Sequence, residues 1–261
     1  KLIDYIDWTP FFISWEMKGS YPKILEDKER GNEAKKLFKD AKDMLQKLID
    51  EKWLTAKAVV GIFNANQIND DDIAVYNEAG NEILKFHSIR MNTKKPQGQY
   101  NIALADFIKP LNPKVSFSEQ TDYVGAFACS TGFGIDAWIE KFEKTHDDYS
   151  AIMLKALADR LAEALAEYLH QFVRKELWGY SKNEVLSNEE LIKETYQGIR
   201  PAPGYPAQPD HLEKLSIWKL LDVEKNTGIK LTESLAMFPT AAVSGLYIAN
   251  PNSYYFGVGK I

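Results

Sequence analysis

From residue 151 to about residue 172 the chain carries Leu154, Leu157, Ala158, Leu161, Leu165, Leu169 and Phe172 at intervals of three and four. That is the period of one face of an α-helix, sustained for about six turns. A stripe this long has to be covered by other elements. A second stripe, Ala34, Leu37, Phe38, Ala41, Met44, Leu45 and Leu48, has Lys and Asp opposite and predicts another amphipathic helix. Ser187-Asn188-Glu189-Glu190 is a capping box opening a short helix, with Gly198 where a glycine stop belongs. Asp210-His211-Leu212-Glu213 repeats the signature ahead of a helix through Trp218 to Leu221, and residues 134–144 carry a weaker helical pattern.

Strands are expected at 58–63, at 73–76 paired with 82–88 across the 77–81 turn, at 123–128, 230–233, 242–248 and 254–258. Hairpins and helices are grouped and do not alternate. This predicts an α+β fold with a largely antiparallel sheet. No repeat or linker divides the chain, and the Pro-rich stretch 201–209 reads as an ordered loop, so residues 1–261 are expected to form one domain.

At 45% hydrophobic and 26% charged residues, the 261-residue chain can bury a core and is not a disordered sequence. Its 32 Lys+Arg against 37 Asp+Glu leave a net charge of -5 and no clustered basic surface, which argues against a nucleic-acid partner. No apolar run approaches the ~20 residues of a membrane span, and the acidic N-terminus does not resemble a signal peptide. A single cysteine, Cys129, points to the cytoplasm. A start at Lys1 and a stop in the strand-like run from Tyr254 to Ile261 suggest a module excised from a longer chain.

Among local motifs, Gly132-Phe133-Gly134-Ile135-Asp136-Ala137 matches a dinucleotide loop, but a second strand with an acid some 20 residues on is missing. An ordinary strand-to-helix turn is the better reading. His87, His146, His170 and His211 lack partners at zinc spacing, so no metal site is expected. His146-Asp147-Asp148 is placed to cap the long helix. Asp159, Glu163 and Glu167 form an acidic ridge at intervals of four, read as either a solvated face or a docking face for a cationic partner. The heptad Arg200-Pro201-Ala202-Pro203-Gly204-Tyr205-Pro206 fixes a turn whose carbonyls cannot all be satisfied within the loop. Arg200 offers a planar fork for a carboxylate and Tyr205 a ring with a polar tip. A structural connector and a ligand-binding turn fit this heptad equally well.

From Arg200 to Tyr205 the sequence resembles the R-x-x-x-G-Y loop of the activation domain of cobalamin-dependent methionine synthase. The resemblance continues in order through Tyr5-Ile6-Asp7-Trp8-Thr9-Pro10, Tyr21-Pro22-Lys23-Ile24-Leu25, Val59-Val60-Gly61-Ile62-Phe63-Asn64, His146-Asp147-Asp148-Tyr149, Trp178-Gly179-Tyr180, Leu231-Thr232-Glu233-Ser234 and Val243-Ser244-Gly245. The family often has cysteine where this chain has Gln208, and the Gly132-Phe133-Gly134 region diverges.

The resemblance implies a C-shaped domain with a bent antiparallel sheet and peripheral helices. By the same resemblance, the domain would bind S-adenosyl-L-methionine and present its methyl group for reductive methylation of cob(II)alamin, with a flavodoxin-like partner supplying the electron. Cobalamin would sit in a neighbouring module, because the D-x-H-x-x-G signature is absent here. Carried over from the family, Asp7 would hold the ligand's amino group and Arg200 its carboxylate. Pro201, Ala202, Gly204 and Tyr205 would line the nucleoside, with Tyr255 and Phe256 on an opposing strand. Glu163 would lie near the ligand and Asp159 would help dock the cobalamin module. The domain positions a ligand that already carries a good leaving group, so no catalytic residue is expected. If Asp7 and Arg200 face a water-filled cleft, their loss should cost little stability. The alternative is a stand-alone S-adenosylmethionine-binding scaffold without methyl transfer.

Overall fold

The computed structural model describes residues 1–259; Lys260 and Ile261, the end of the strand-like run, lie outside the described residues. Helices α1 (Thr9–Ser14) and α2 (Gly31–Asp50) lead into strands β1 (Thr55–Ile68), β2 (Asp72–Tyr76) and β3 (Glu82–His87). A short helix, α3 (Phe117–Gln120), precedes β4 (Asp122–Phe133), α4 (Ile135–Lys144) and α5 (Asp148–Phe172). Then come α6 (Asn188–Ile192), α7 (Glu213–Leu221), α8 (Val223–Thr227), the hairpin of β5 (Lys230–Leu231) and β6 (Met237–Phe238), and β7 (Ala242–Tyr247). The main sheet has the order β3-β2-β1-β4-β7, with every neighbouring pair antiparallel. The fold is α+β, as the grouping of elements predicts.

Strand β4 explains how the layers stack. Successive side chains point to opposite faces. Val124, Ala126 and Ala128 pack toward Ile217, Leu221 and Val223 of α7 and α8, while Phe127 and Cys129 pack toward Leu165, Ala166 and Leu169 of α5. A strand covered on both faces needs small or apolar residues at every position. The buried Asn66 on β1 has its amide nitrogen satisfied, donating to Lys109 O and Gln120 O at 3.0 Å.

Helix α5 is capped as expected: the Asp147 side chain accepts from Ser150 N. Its first half, including Met153, Leu154 and Leu157, shares a core with Phe11 and Phe12 of α1 and Leu37 of α2. Its second half lies on the sheet, and there even Glu167 and His170 are buried. The helix runs directly into a π-helical turn, Val173–Leu177, which carries Arg174 into the interior.

Several elements depart from the sequence reading. Helix α6 ends at Ile192, with Glu194 already left-handed at φ 55, so Gly198 is not its stop. A Cβ on Gly198 would lie 2.6 Å from Ile248 O; this glycine lets two backbones approach. Only Lys230–Leu231 of the predicted 230–233 strand is paired, in the small hairpin with β6. Residues 254–258, expected as a strand, join no ladder. The Gly132 loop is filled with protein: a Cβ on Gly132 would lie 2.0 Å from Thr240 O, and one on Gly134 2.7 Å from Trp53 O. No phosphate can approach that backbone, and β4 has antiparallel neighbours on both sides. The dinucleotide reading fails structurally as well as in sequence.

Candidate functional site

The Arg200 loop begins as an extra edge on the sheet. Ile199 exchanges two 3.0 Å hydrogen bonds with Ile248, and Leu246 N donates to Pro201 O at 2.8 Å. The Pro201 carbonyl is thus satisfied by the β7 edge, outside the loop. Gly245 permits this, since a Cβ there would sit 2.5 Å from Pro201 O. The chain then turns back, with Tyr205 N donating to Ala202 O at 3.1 Å and Gly204 N to Gln208 O at 2.8 Å. Residues 254–258 are tied across from this turn by isolated bonds. Arg200 N donates to Tyr255 Oη at 3.0 Å and Val258 N to Pro206 O at 3.1 Å.

Between the loop and this segment lies a cavity of about 530 Å³. Phe127, Pro201, Ala202, Val243 and Phe256 give it apolar walls; Glu163, Glu194, Arg200, Tyr205 and Tyr255 supply polar groups. A second cavity of about 400 Å³ shares Glu163, Glu194, Arg200 and Tyr205, and adds Asp7, Arg160 and Glu167. The structure therefore brings Glu163, Arg200, Pro201, Ala202, Tyr205, Tyr255 and Phe256 to one space, with Asp7 in the adjoining one. Asp7 also caps α1, its Oδ1 accepting from Thr9 N at 2.9 Å. Gly204 lines neither cavity. It faces a smaller one with His211 and Lys214, and a Cβ on it would meet the His211 ring at 2.2 Å. Asp159 is exposed on α5, one turn before Glu163.

Six residues not expected in the site from sequence build and back its polar wall. The Arg200 Nη1 group lies 2.6 Å from Glu167 Oε2 and donates to Tyr196 Oη at 3.0 Å and to His170 Nδ1 at 3.2 Å. Neither Nε nor Nη2 of Arg200 has a protein partner among the described residues. Burial by itself would lower the guanidinium's pKa, but the Glu167 carboxylate and the Tyr196 and Tyr255 hydroxyls more than offset it, and Arg200 stays charged. His170 is neutral: burial first, then Arg200 and Arg174, hold its pKa well below the usual value, so Nδ1 is free to accept. Behind it, fully buried Arg174 donates through Nε and Nη2 to both oxygens of Glu184 at 2.8 Å, and its Nη1 faces Glu167 Oε1 at 3.7 Å. An alternating chain, Glu184, Arg174, Glu167, Arg200, runs from the interior to the cavity. Glu194 adds a carboxyl whose pKa burial raises, while Arg200 pulls it down.

The acidic ridge is thus graded, from exposed Asp159 through half-buried Glu163 to buried Glu167. The uninterrupted apolar surroundings of Glu167, Ala164-Leu165-Ala166 before it and Tyr168-Leu169 after it, were the available signal that it points inward. Arg200 lines both cavities but is also paired with Glu167, so its loss is not expected to be free of a stability cost.

The vitamin B12 dependent methionine synthase activation domain is the family whose model matches, over residues 1–261. The chain belongs to that family. It is also similar to a solved structure described as the MetH reactivation domain bound to AdoHcy, with 57% identity and a TM-score of 0.93, over 100% of this chain and 78% of that one. This activation domain has, among the described residues, no cluster of His, Cys, Asp and Glu that could hold a metal ion. None of its described helices is long and apolar enough to cross a membrane.

Proposed function

We propose that this activation domain binds S-adenosyl-L-methionine across the two adjoining cavities and presents its methyl group for reductive methylation of cob(II)alamin held by a neighbouring module. The observation that carries this reading is the division of the site. An apolar space of about 530 Å³ meets a polar one of about 400 Å³ at Arg200 and Glu163. The ligand divides the same way, into a flat nucleoside and a zwitterionic amino acid. The AdoHcy bound to the structurally similar MetH domain is the demethylated form of that ligand.

The bound ligand supplies a methyl group on a sulfonium, which is already a good leaving group. The protein's work is placement. Pro201, Ala202 and Tyr205 form one wall for the nucleoside, and Tyr255 and Phe256 the other. Arg200 takes the carboxylate with its open edge, and Asp7 the ammonium. Glu163 lies where it can face the positive sulfur. Gly204 acts from behind, letting His211 support the turn. Asp159, exposed one turn before Glu163, docks the cobalamin module, while a flavodoxin-like donor supplies the electron. A reducing cytoplasm suits the buried free thiol of Cys129, which burial pushes up to about 12.

Titration calorimetry on the 261-residue chain near ~100 µM tests the reading, a concentration that registers roughly millimolar to micromolar binding. Heat is expected with S-adenosylmethionine and with its demethylated product. Absence of heat with both would remove the proposal.

A further inference from the structure

Arg200 is half used by the protein. A guanidinium can grip a carboxylate through parallel N–H groups, either at its end (Nη1 with Nη2) or along its side (Nε with Nη2). Here Nη1 is occupied three times over, by Glu167 Oε2, the Tyr196 hydroxyl and His170 Nδ1. The end-on grip is closed. The side edge is the one the protein leaves without a partner, and Arg200 lines both cavities.

We propose that Glu167 is a positioning residue: by clamping Nη1 it fixes the guanidinium so that its Nε–Nη2 edge meets the ligand's carboxylate. The inference rests on the S-adenosylmethionine reading above and extends it to a residue to which that reading gives no role. Glu167 is suited to the task because it is itself held. Its side chain is 10% exposed, it sits on the long helix α5, and Arg174 faces its second oxygen. Arg174 in turn is locked by Glu184 through two 2.8 Å bonds. At 3.7 Å the contact of Glu167 with Arg174 exceeds hydrogen-bond range, whereas that with Arg200 is 2.6 Å, so the close ion pair of Glu167 is the one with Arg200. An arginine loses much rotamer freedom when it grips a ligand. A fork already immobilised has lost that freedom before the ligand arrives, and the gain appears as affinity.

The test compares ligands with and without the carboxylate on the wild-type chain and on Glu167→Gln. The ligands are S-adenosylmethionine, S-adenosylhomocysteine and decarboxylated S-adenosylmethionine, with binding read by calorimetry. The substitution should weaken the two carboxylate-bearing ligands about tenfold or more, and the decarboxylated one by no more than about twofold. Equal weakening of all three would show a packing role and overturn the proposal, as would no weakening of any. Should Glu167→Gln fail to fold, Tyr196→Phe keeps the ring and removes one Nη1 acceptor. It should show the same selectivity at about threefold, and loss without that selectivity overturns the clamp. A wild-type chain that binds none of the three removes the ligand reading and the clamp together. Wild-type binding with no selective loss removes only the clamp.

Discussion

Arg174 and Arg200 flank one carboxylate, Glu167, and differ in how much of each fork the protein fills. Arg174 is fully buried, gives two nitrogens to Glu184 and turns its third toward Glu167. Arg200 is 18% exposed and concentrates its protein contacts on one nitrogen. Both forks carry charge in a poorly solvated place, and each is compensated by a carboxylate within ion-pair distance. The inner arginine is fully buried and lies out of a ligand's reach. The outer one keeps an edge for it. In a buried ion chain, the member that lines a cavity with an edge left open is the one to suspect of binding.

The largest effect should come from the inner member. Arg174→Ala leaves Glu184 and Glu167 buried, the first without any cation, and should cost about 3–5 kcal/mol of stability. Denaturant unfolding measures it. A loss below about 1 kcal/mol, the scale of an exposed ion pair, would break the distinction between scaffold and binding arginine.

The outer member should fail differently. Arg200→Ala should cost about 2–5 kcal/mol of affinity for S-adenosylmethionine, the range for a desolvated charge pair losing one partner. Its stability cost should be smaller than that of Arg174→Ala, because Glu167 keeps Arg174 opposite. Arg200→Lys should also lose affinity, since an ammonium cannot serve Glu167 and a carboxylate with one planar fork. Calorimetry and denaturation on the same samples separate the two quantities. If Arg200→Ala destabilised as much as Arg174→Ala while binding ligand normally, the two residues would have exchanged roles.

The fold's frame is more legible in the amino-acid sequence than the site's polar wall, for physical reasons. The stripe on α5 and its Asp147 cap are local signals, so helix and start were legible. Strand β1 was read only at 58–63, because its continuation through Asn64, Asn66 and Gln67 looks like loop until Lys109 and Gln120 are known to satisfy Asn66. The segment 254–258 has strand composition, yet a ladder needs a neighbour, and sequence does not show that the loop offers only Pro206 O and Arg200 N. The Arg200 loop was legible as an ordered turn through its prolines and glycine. Arg174 was not, and Glu167 only through its apolar neighbours, because their burial is set by the sheet packed against α5 and by the π-turn at its end. Periodicity assigns a charged residue to the polar face; only tertiary structure shows that this end of the helix has none.

A third buried charge sharpens the comparison from the opposite side. Glu213, at the start of α7, is 4% exposed, has no Lys or Arg within ion-pair distance among the described residues, and leaves Oε2 without a partner. Burial pushes its carboxyl up to about 7; the His87 backbone N–H and ring pull it down, and Asp210 and Asp72 push it further up. In the unfolded chain a glutamate titrates near 4.3. Between those values the folded protein holds a proton that the unfolded chain has released, so this group's contribution to stability falls as pH rises through the window and is level above it. Glu213→Gln removes the proton and the charge together. The variant should be more stable than the parent at pH 8 by on the order of 1–3 kcal/mol, with the gap shrinking toward pH 5. Denaturation of both proteins at the two pH values gives the difference directly, and other titrating groups cancel in it. A gap that stays constant with pH would mean that Glu213 is charged in the fold and has a counter-charge, as Glu167 and Glu184 do. The rule that a buried carboxylate here needs an arginine would then lose its exception.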